Sequence, residues 1–243
     1  MKTISKVFSC ILAFSSLLGS VEGQNRYKIW YDKPASYWEE ALPIGNGRIA
    51  AMVFGDPQLE QIQLNEETVS AGSPYQNYNE EAKAALPEMR RLIFEGKYEE
   101  AQNMAATKIL SQVGNEMPYQ TVGRLNIRYQ DHKKVSNYYR DLDISNAMTV
   151  TRYKVDGVEF TEETFASFTD QLVIRHIKSS KPGAINCELF FNTPMRDPKR
   201  SIYGKKGLRL EGITHGSRYF PGKVHYCADL DVKNKGGEVT MAN

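Results

Sequence analysis

From residue 27 onward, apolar residues recur mostly at every second position. They fall in short runs broken by Gly, Pro, Asn and Asp. That alternation predicts half-buried strands. Residues 27–31 read as an entry strand, which Lys33-Pro34-Ala35 breaks. Residues 49–54 follow as the first strong strand, apolar enough to be buried on both faces. Gly55-Asp56-Pro57 turns the chain into a second strand at residues 59–64. Leu125, Ile127 and Tyr129 alternate in a further strand. Asp156-Gly157 is the clearest hairpin signal: a type I′ turn there pairs Val155 with Val158 and Tyr153 with Phe160, all on one face. Residues 172–177, 185–191, 208–213, 224–232 and 238–241 complete the series, with Gly236-Gly237 as a last hairpin turn. The fold class is mainly β, a large antiparallel sandwich.

Only residues around 80–110 change period. Residues 80–86 read as a short helix. Pro87 suits the first turn of a second helix, which Gly96 ends, and residues 97–110 form another. The expectation is a helical hairpin packed on a sheet.

The pattern is interrupted most sharply at residues 41–55, ALPIGNGRIAAMVFG. Gly45 and Gly47 permit a positive φ or a close backbone approach, and Asn46 between them bonds locally. A tight turn entering a core strand accounts for the spacing. A polar tip on a rigid strand is also a place where β proteins meet ligands.

Residues before 27 follow another rule. Lys2 and Lys6 precede an apolar run at residues 7–18, and small residues follow at Gly19, Ser20 and Gly23. Residues 1–23 read as a signal peptide, too short to span a bilayer comfortably. No second apolar run follows, so the expectation is an exported product, periplasmic or extracellular, with no membrane span. The formal charge of +2 falls by one on removal of Lys2, Lys6 and Glu22. The basic residues are dispersed, which predicts no nucleic-acid partner. Cys187 and Cys227 remain after cleavage, open to a disulfide or to two buried thiols.

Candidate chemistry is sparse. Glu66/Glu67 and Glu162/Glu163 are strand neighbours and point to opposite faces. Asp141 and Asp143 share a face without implying a cleft. All six carboxylates read as solvated surface groups. His132, His176, His215 and His225 lack metal-ligand spacing, so no metal and no cofactor is expected. No Gly-x-Ser-x-Gly elbow and no P-loop is present. Tyr75, Tyr78, Tyr138 and Tyr139 are open between sugar stacking and core or rim roles.

Several runs carry a resemblance. They are Leu-Pro-Ile-Gly-Asn-Gly-Arg at 42–48, Gln-Leu-Asn-Glu-Glu-Thr at 63–68, Leu-Ile-Phe-Glu-Gly-Lys-Tyr at 92–98, Met-Pro-Tyr-Gln at 117–120 and Tyr-Arg-Asp-Leu-Asp at 139–143. With residues 153–170, they resemble, in order, the N-terminal domain of glycoside hydrolase family 95, the inverting α-L-fucosidases, in the style of gut Bacteroidota. The resemblance implies a β super-sandwich over residues 24–243, with an (α/α)6 catalytic barrel elsewhere. It also implies terminal α-1,2-linked L-fucose on a host or plant glycan as substrate, and no cofactor. No catalytic residue transfers to this sequence. Asn46, Arg48, Asn65 and Glu66 are expected at a substrate-side or interdomain rim facing that barrel. Ser70 departs from the Trp usual in the family, and Ala50 from the Gly. Residues 238–243 read as a hairpin just beginning its return strand, so a longer product is expected. The alternative is a stand-alone carbohydrate-binding or interaction module.

Overall fold

A computed structural model describes residues 27–72, 77–111, 117–217 and 221–242. The leader at residues 1–23 and Tyr75 lie outside the described residues. Strands are numbered in chain order. One antiparallel sheet contains β1 (Lys28–Tyr31), β6 (Val135–Asp143), β7 (Met148–Val155), β8 (Val158–Ser167) and β9 (Leu172–Ser179), in that spatial order. The second runs β10 (Cys187–Asn192), β5 (Gly123–Tyr129), β4 (Leu59–Glu66), β3 (Ile49–Val53) and β2 (Leu42–Gly45). A third, smaller sheet holds β11 (Arg196–Tyr203), β12 (Gly207–Ile213) and β13 (His225–Asp231).

The first two sheets pack face to face, β2 and β3 lying across β6 to β9. The interior follows from alternation. Leu42, Ile44, Ala51, Val53, Ile62 and Ile127 point inward and are almost fully buried. Each large apolar side chain so placed contributes about 1.5–3 kcal/mol. Leu210 and Tyr226 carry the third sheet onto the same core. The Asp156-Gly157 hairpin forms as its residues predict. Both turn residues have positive φ, Val155 pairs with Val158, and Tyr153 pairs with Phe160. These four side chains make a second apolar cluster.

Several expectations fail. β3 is buried on one face only: Ala51 and Val53 are covered while Ala50 is exposed. Its run of small apolar residues gave no clue to which face lacks a partner. Pro87 does not start a helix. It sits inside α1 (Ala82–Phe94), where it forgoes one bond to the Lys83 carbonyl. Gly96 does end α1, at φ +74°. The next helix, α2 (Tyr98–Met104), gives way to a π turn over Ala105–Ile109. These helices pack on each other rather than across a sheet, and among them only Leu92 and Ala101 are buried. Residues 238–241 form no strand, although Gly236 and Gly237 do turn with positive φ. β6 and β11 carry little apolar alternation in sequence, because polar residues dominate both. β11 is exposed at every position and carries Pro198, which an edge strand tolerates.

Candidate functional site

The four rim candidates lie at one end of the second sheet but do not form one cluster. Asn46 caps the β2–β3 turn. Its Oδ1 accepts from Arg48 N at 3.1 Å and Ile49 N at 2.9 Å. Its Nδ2 donates to Ser167 O at 2.7 Å and to Gln171 Oε1 at 3.4 Å, in the β8–β9 turn. Asn46 thus ties the two main sheets together at their ends. Gly47 takes φ +93°, which favours glycine, and a Cβ on Gly45 would crowd Ile49 O at 3.3 Å. Arg48 Nε meets Glu66 Oε1 at 3.1 Å. Partial burial opposes ionisation of Glu66, but Thr68, through its hydroxyl and N–H, and Arg48 hold its carboxyl below the usual range. Asn65 pairs with Ala50 and faces the other way, onto the outer surface of the sheet. Asn46→Ala is expected to cost about 1–2 kcal/mol, read by urea denaturation. Asn46→Asp, which keeps the acceptor and loses the donor, should fall between.

The outer surface around Asn65 is a shallow groove of about 580 Å³ between Trp38 and Tyr119. Sequence reasoning did not single out either residue. Ser70 lies in a β-bridge with Tyr119, and Ala50 lines the groove. Of the aromatics that were singled out, Tyr78 is exposed. Tyr138 donates to Gly55 O at 2.6 Å, and burial pushes its phenol well up. Tyr139 stacks on Trp30 with centroids 6.3 Å apart.

The carboxylates depart most from expectation. Asp141 and Glu162 are buried, not solvated. Asp141 is covered by Lys28, 3.2 Å away. Glu162 belongs to an ionic centre between the two main sheets. Arg175 Nη2 bonds Glu162 Oε2 and, at 2.7 Å, Glu60 Oε2. Tyr129 and Tyr153 both donate to Glu162 Oε1 at 2.6 Å. Glu60 Oε1 accepts from the backbone N–H of Phe54, Gly55 and Gln61. Burial, with Glu162 adding to it and Arg175 opposing, raises Glu60 to about 7. Burial opposes the charge on Arg175, but Glu162 and Glu60 outweigh it and push its pKa up. His132 stacks on Tyr129 at 4.3 Å, and its Nδ1 carries the proton, because Pro57 O can only accept. Burial lowers its pKa. The centre is closed and cannot reach a substrate.

Cys187 and Cys227 are free, and Cys227 is exposed rather than buried. Among the described residues no group of His, Cys, Asp and Glu is arranged to hold a metal, and no helix is long and apolar enough to cross a membrane.

Comparison with known proteins places this architecture. The chain is 37% identical over 171 residues to alpha-L-fucosidase 2 of Arabidopsis thaliana, covering 69% of this chain and 20% of that protein. It is 26% identical over 162 residues to a probable alpha-fucosidase A of Aspergillus niger, covering 63% and 20%. A probable alpha-fucosidase A of Aspergillus oryzae matches at 26% over 174 residues, covering 68% and 23%. The chain therefore spans about a fifth of the length of these relatives. The family model for the glycosyl hydrolase family 65 N-terminal domain matches residues 29–243, under the number 65 rather than 95. With nearly all of the described residues inside that match, the chain belongs to the family of glycosyl hydrolase family 65 N-terminal domains.

Proposed function

We propose that this chain serves as the N-terminal β domain of an exported α-L-fucosidase of the family 95 type. The observation that carries the reading is its similarity to three fucosidases, strongest at 37% identity. The motif runs at 42–48 and 63–68 favour family 95 over family 65 as the source of the activity. Residues 1–23 serve as the signal peptide and residues 24–243 as the β domain. The substrate is a glycan ending in α-1,2-linked L-fucose, hydrolysed with inversion.

The chemistry belongs to a separate (α/α)6 barrel domain. Inverting hydrolysis uses two carboxyl groups flanking the scissile bond across a pocket. Glu60 and Glu162 are engaged in the core with Arg175, so they are unfit for that task. Asn46, Arg48 and Glu66, with Asn65 beside them on the outer face, form the rim towards the barrel.

The test is hydrolysis of a 2-O-α-L-fucosyl galactoside. The purified chain alone is expected to release no fucose. Joined to the barrel of a family 95 fucosidase stripped of its own N-terminal domain, it is expected to restore release, and Arg48→Ala to weaken that. Fucose release by the chain alone would overturn the assignment of the chemistry to another domain. Failure to restore release would overturn the family 95 pairing.

A further inference from the structure

The groove on the outer face of β2, β3 and β4 has a composition that the rim does not explain. Trp38 and Tyr119 are both about half exposed and stand at its two ends. Trp38 enters just before β2, whose Leu42 pairs with Val53 at the end of β3. Tyr119 enters beside the end of β4, where Val122 N bonds Leu64 O. Between them lie Met52 and the amides of Gln63 and Asn65. Those two amides sit two residues apart on β4, so they share one face. Both are half-buried, and among the described residues neither side chain has a hydrogen-bond partner. Among the described residues, no Asp, Glu, Lys, Arg or His lines the groove.

The backbone that carries both aromatics is braced. The Trp38 loop is held by Arg140, whose Nε donates to Lys33 O at 2.8 Å and whose Nη1 donates to Glu40 O at 2.7 Å. That guanidinium lies over the Tyr31 ring at 4.1 Å. Gly55 permits this packing, since a Cβ there would come within 2.9 Å of Arg140 Cδ. Tyr119 is held by its bridge to Ser70 and by its neighbour Gln120. The Gln120 amide exchanges two bonds with the His215 backbone, at 2.7 and 2.8 Å.

We propose that this groove is a binding site for a neutral sugar, with Trp38 and Tyr119 stacking on pyranose faces and Gln63 and Asn65 bonding ring hydroxyls. Aromatic rings take the apolar C–H faces of a sugar, and amides offer both a donor and an acceptor to each hydroxyl. The volume of about 580 Å³ falls within the range of small-ligand sites. A protein segment is less well matched, because its apolar anchors would leave the two amides unpaired. The absence of charge among the described lining residues favours a neutral sugar over a uronate or a sulfated glycan. The site goes beyond the rim reading, with which it shares only Asn65.

Trp30 and Trp38 are the only tryptophans in the chain, so fluorescence isolates the groove. A Trp30→Phe variant, reporting only Trp38, is titrated with methyl α-L-fucoside, with the neutral disaccharide lactose and with glucuronic acid. Saturable quenching by a neutral sugar and not by glucuronate is expected. Gln63→Ala and Asn65→Ala should each weaken binding by about three- to tenfold. Trp38→Ala, followed by saturation-transfer NMR on Tyr119, should weaken it by a similar factor or more. Trp38 is half exposed, so that variant should keep the parent melting temperature. Flat titrations with both neutral sugars overturn the proposal and leave the face to protein contact. Equal binding by all three groove variants overturns the location. Tighter binding of glucuronate overturns the ligand class. None of these outcomes alters the fucose-release test, so the two readings fail separately.

Discussion

Arg175→Met is expected to destabilise this domain by about 3–5 kcal/mol, the cost of breaking a buried ion pair from one side. Arg175 is the cation between two carboxylates that are both fully buried. Removing it leaves Glu60 and Glu162 facing each other across the interior. Met fills similar volume, so a cavity is not the cause. For a domain of this size the melting temperature should fall by roughly 10 °C. Arg175→Lys should recover only part of the loss, because one ammonium cannot match the planar guanidinium that also donates to Thr164 Oγ1 at 2.7 Å. Thermal and urea melts of the three proteins check this. A Met variant as stable as the parent would mean that solvent reaches the centre.

The second large effect is a pH dependence with an unusual sign. Glu60 sits near 7 when folded, against 4.5 for an unperturbed group. Below pH 4.5 it is neutral in both states, and its contribution is fully present. Between 4.5 and 7 the unfolded chain releases the proton and the folded chain keeps it. Stability therefore falls as pH rises, by on the order of 3 kcal/mol once pH exceeds 7. The facing groups are Arg175 and Glu162, with the Tyr129 and Tyr153 phenols on Glu162. His132 acts in the opposite sense. Burial lowers its pKa, so its contribution grows as pH rises towards 6.5 and partly masks the trend. Glu60→Gln isolates the carboxyl. Urea midpoints from pH 5 to 8 should show the variant gaining on the parent as pH rises. Parallel curves would place the proton elsewhere.

Local rules account for much of the molecule. Asp156-Gly157 set a type I′ hairpin and its register, because both positions need positive φ and the flanking residues alternate. Gly96 stopped a helix for the same conformational reason. The outline of a mainly antiparallel β domain was legible throughout. Elements with weak contrast were not legible. β6 and β11 are polar on both faces, so their period of two carries little hydrophobic signal. Pro87 reads as the start of a second helix because its missing N–H suits a first turn, whereas the helix legible at residues 80–86 runs on through it from Ala82 to Phe94.

The candidate site was legible in part. Asn46 was found from its glycine-flanked turn, and its bonds to Ser167 and Gln171, more than 120 residues away, were not foreseeable from the turn itself. The sequence alone reads Glu162 as a surface group, because isolated carboxylates usually are. Its partner Arg175 lies on the next strand, and Glu60 lies across the sandwich on β4. Trp38 and Tyr119, separated by some 80 residues of sequence, have no common motif to join them.

The sequence by itself determined where strands turn, which side chains alternate and that the chain folds as β. Those properties depend on backbone conformation and on neighbours one to four residues apart. The tertiary structure decided which face of each strand is covered, where three buried charges meet, and that two aromatics distant in sequence line one groove with the amides of Gln63 and Asn65. Those depend on how sheets stack, and stacking brings together residues whose separation along the chain encodes nothing about their distance in space.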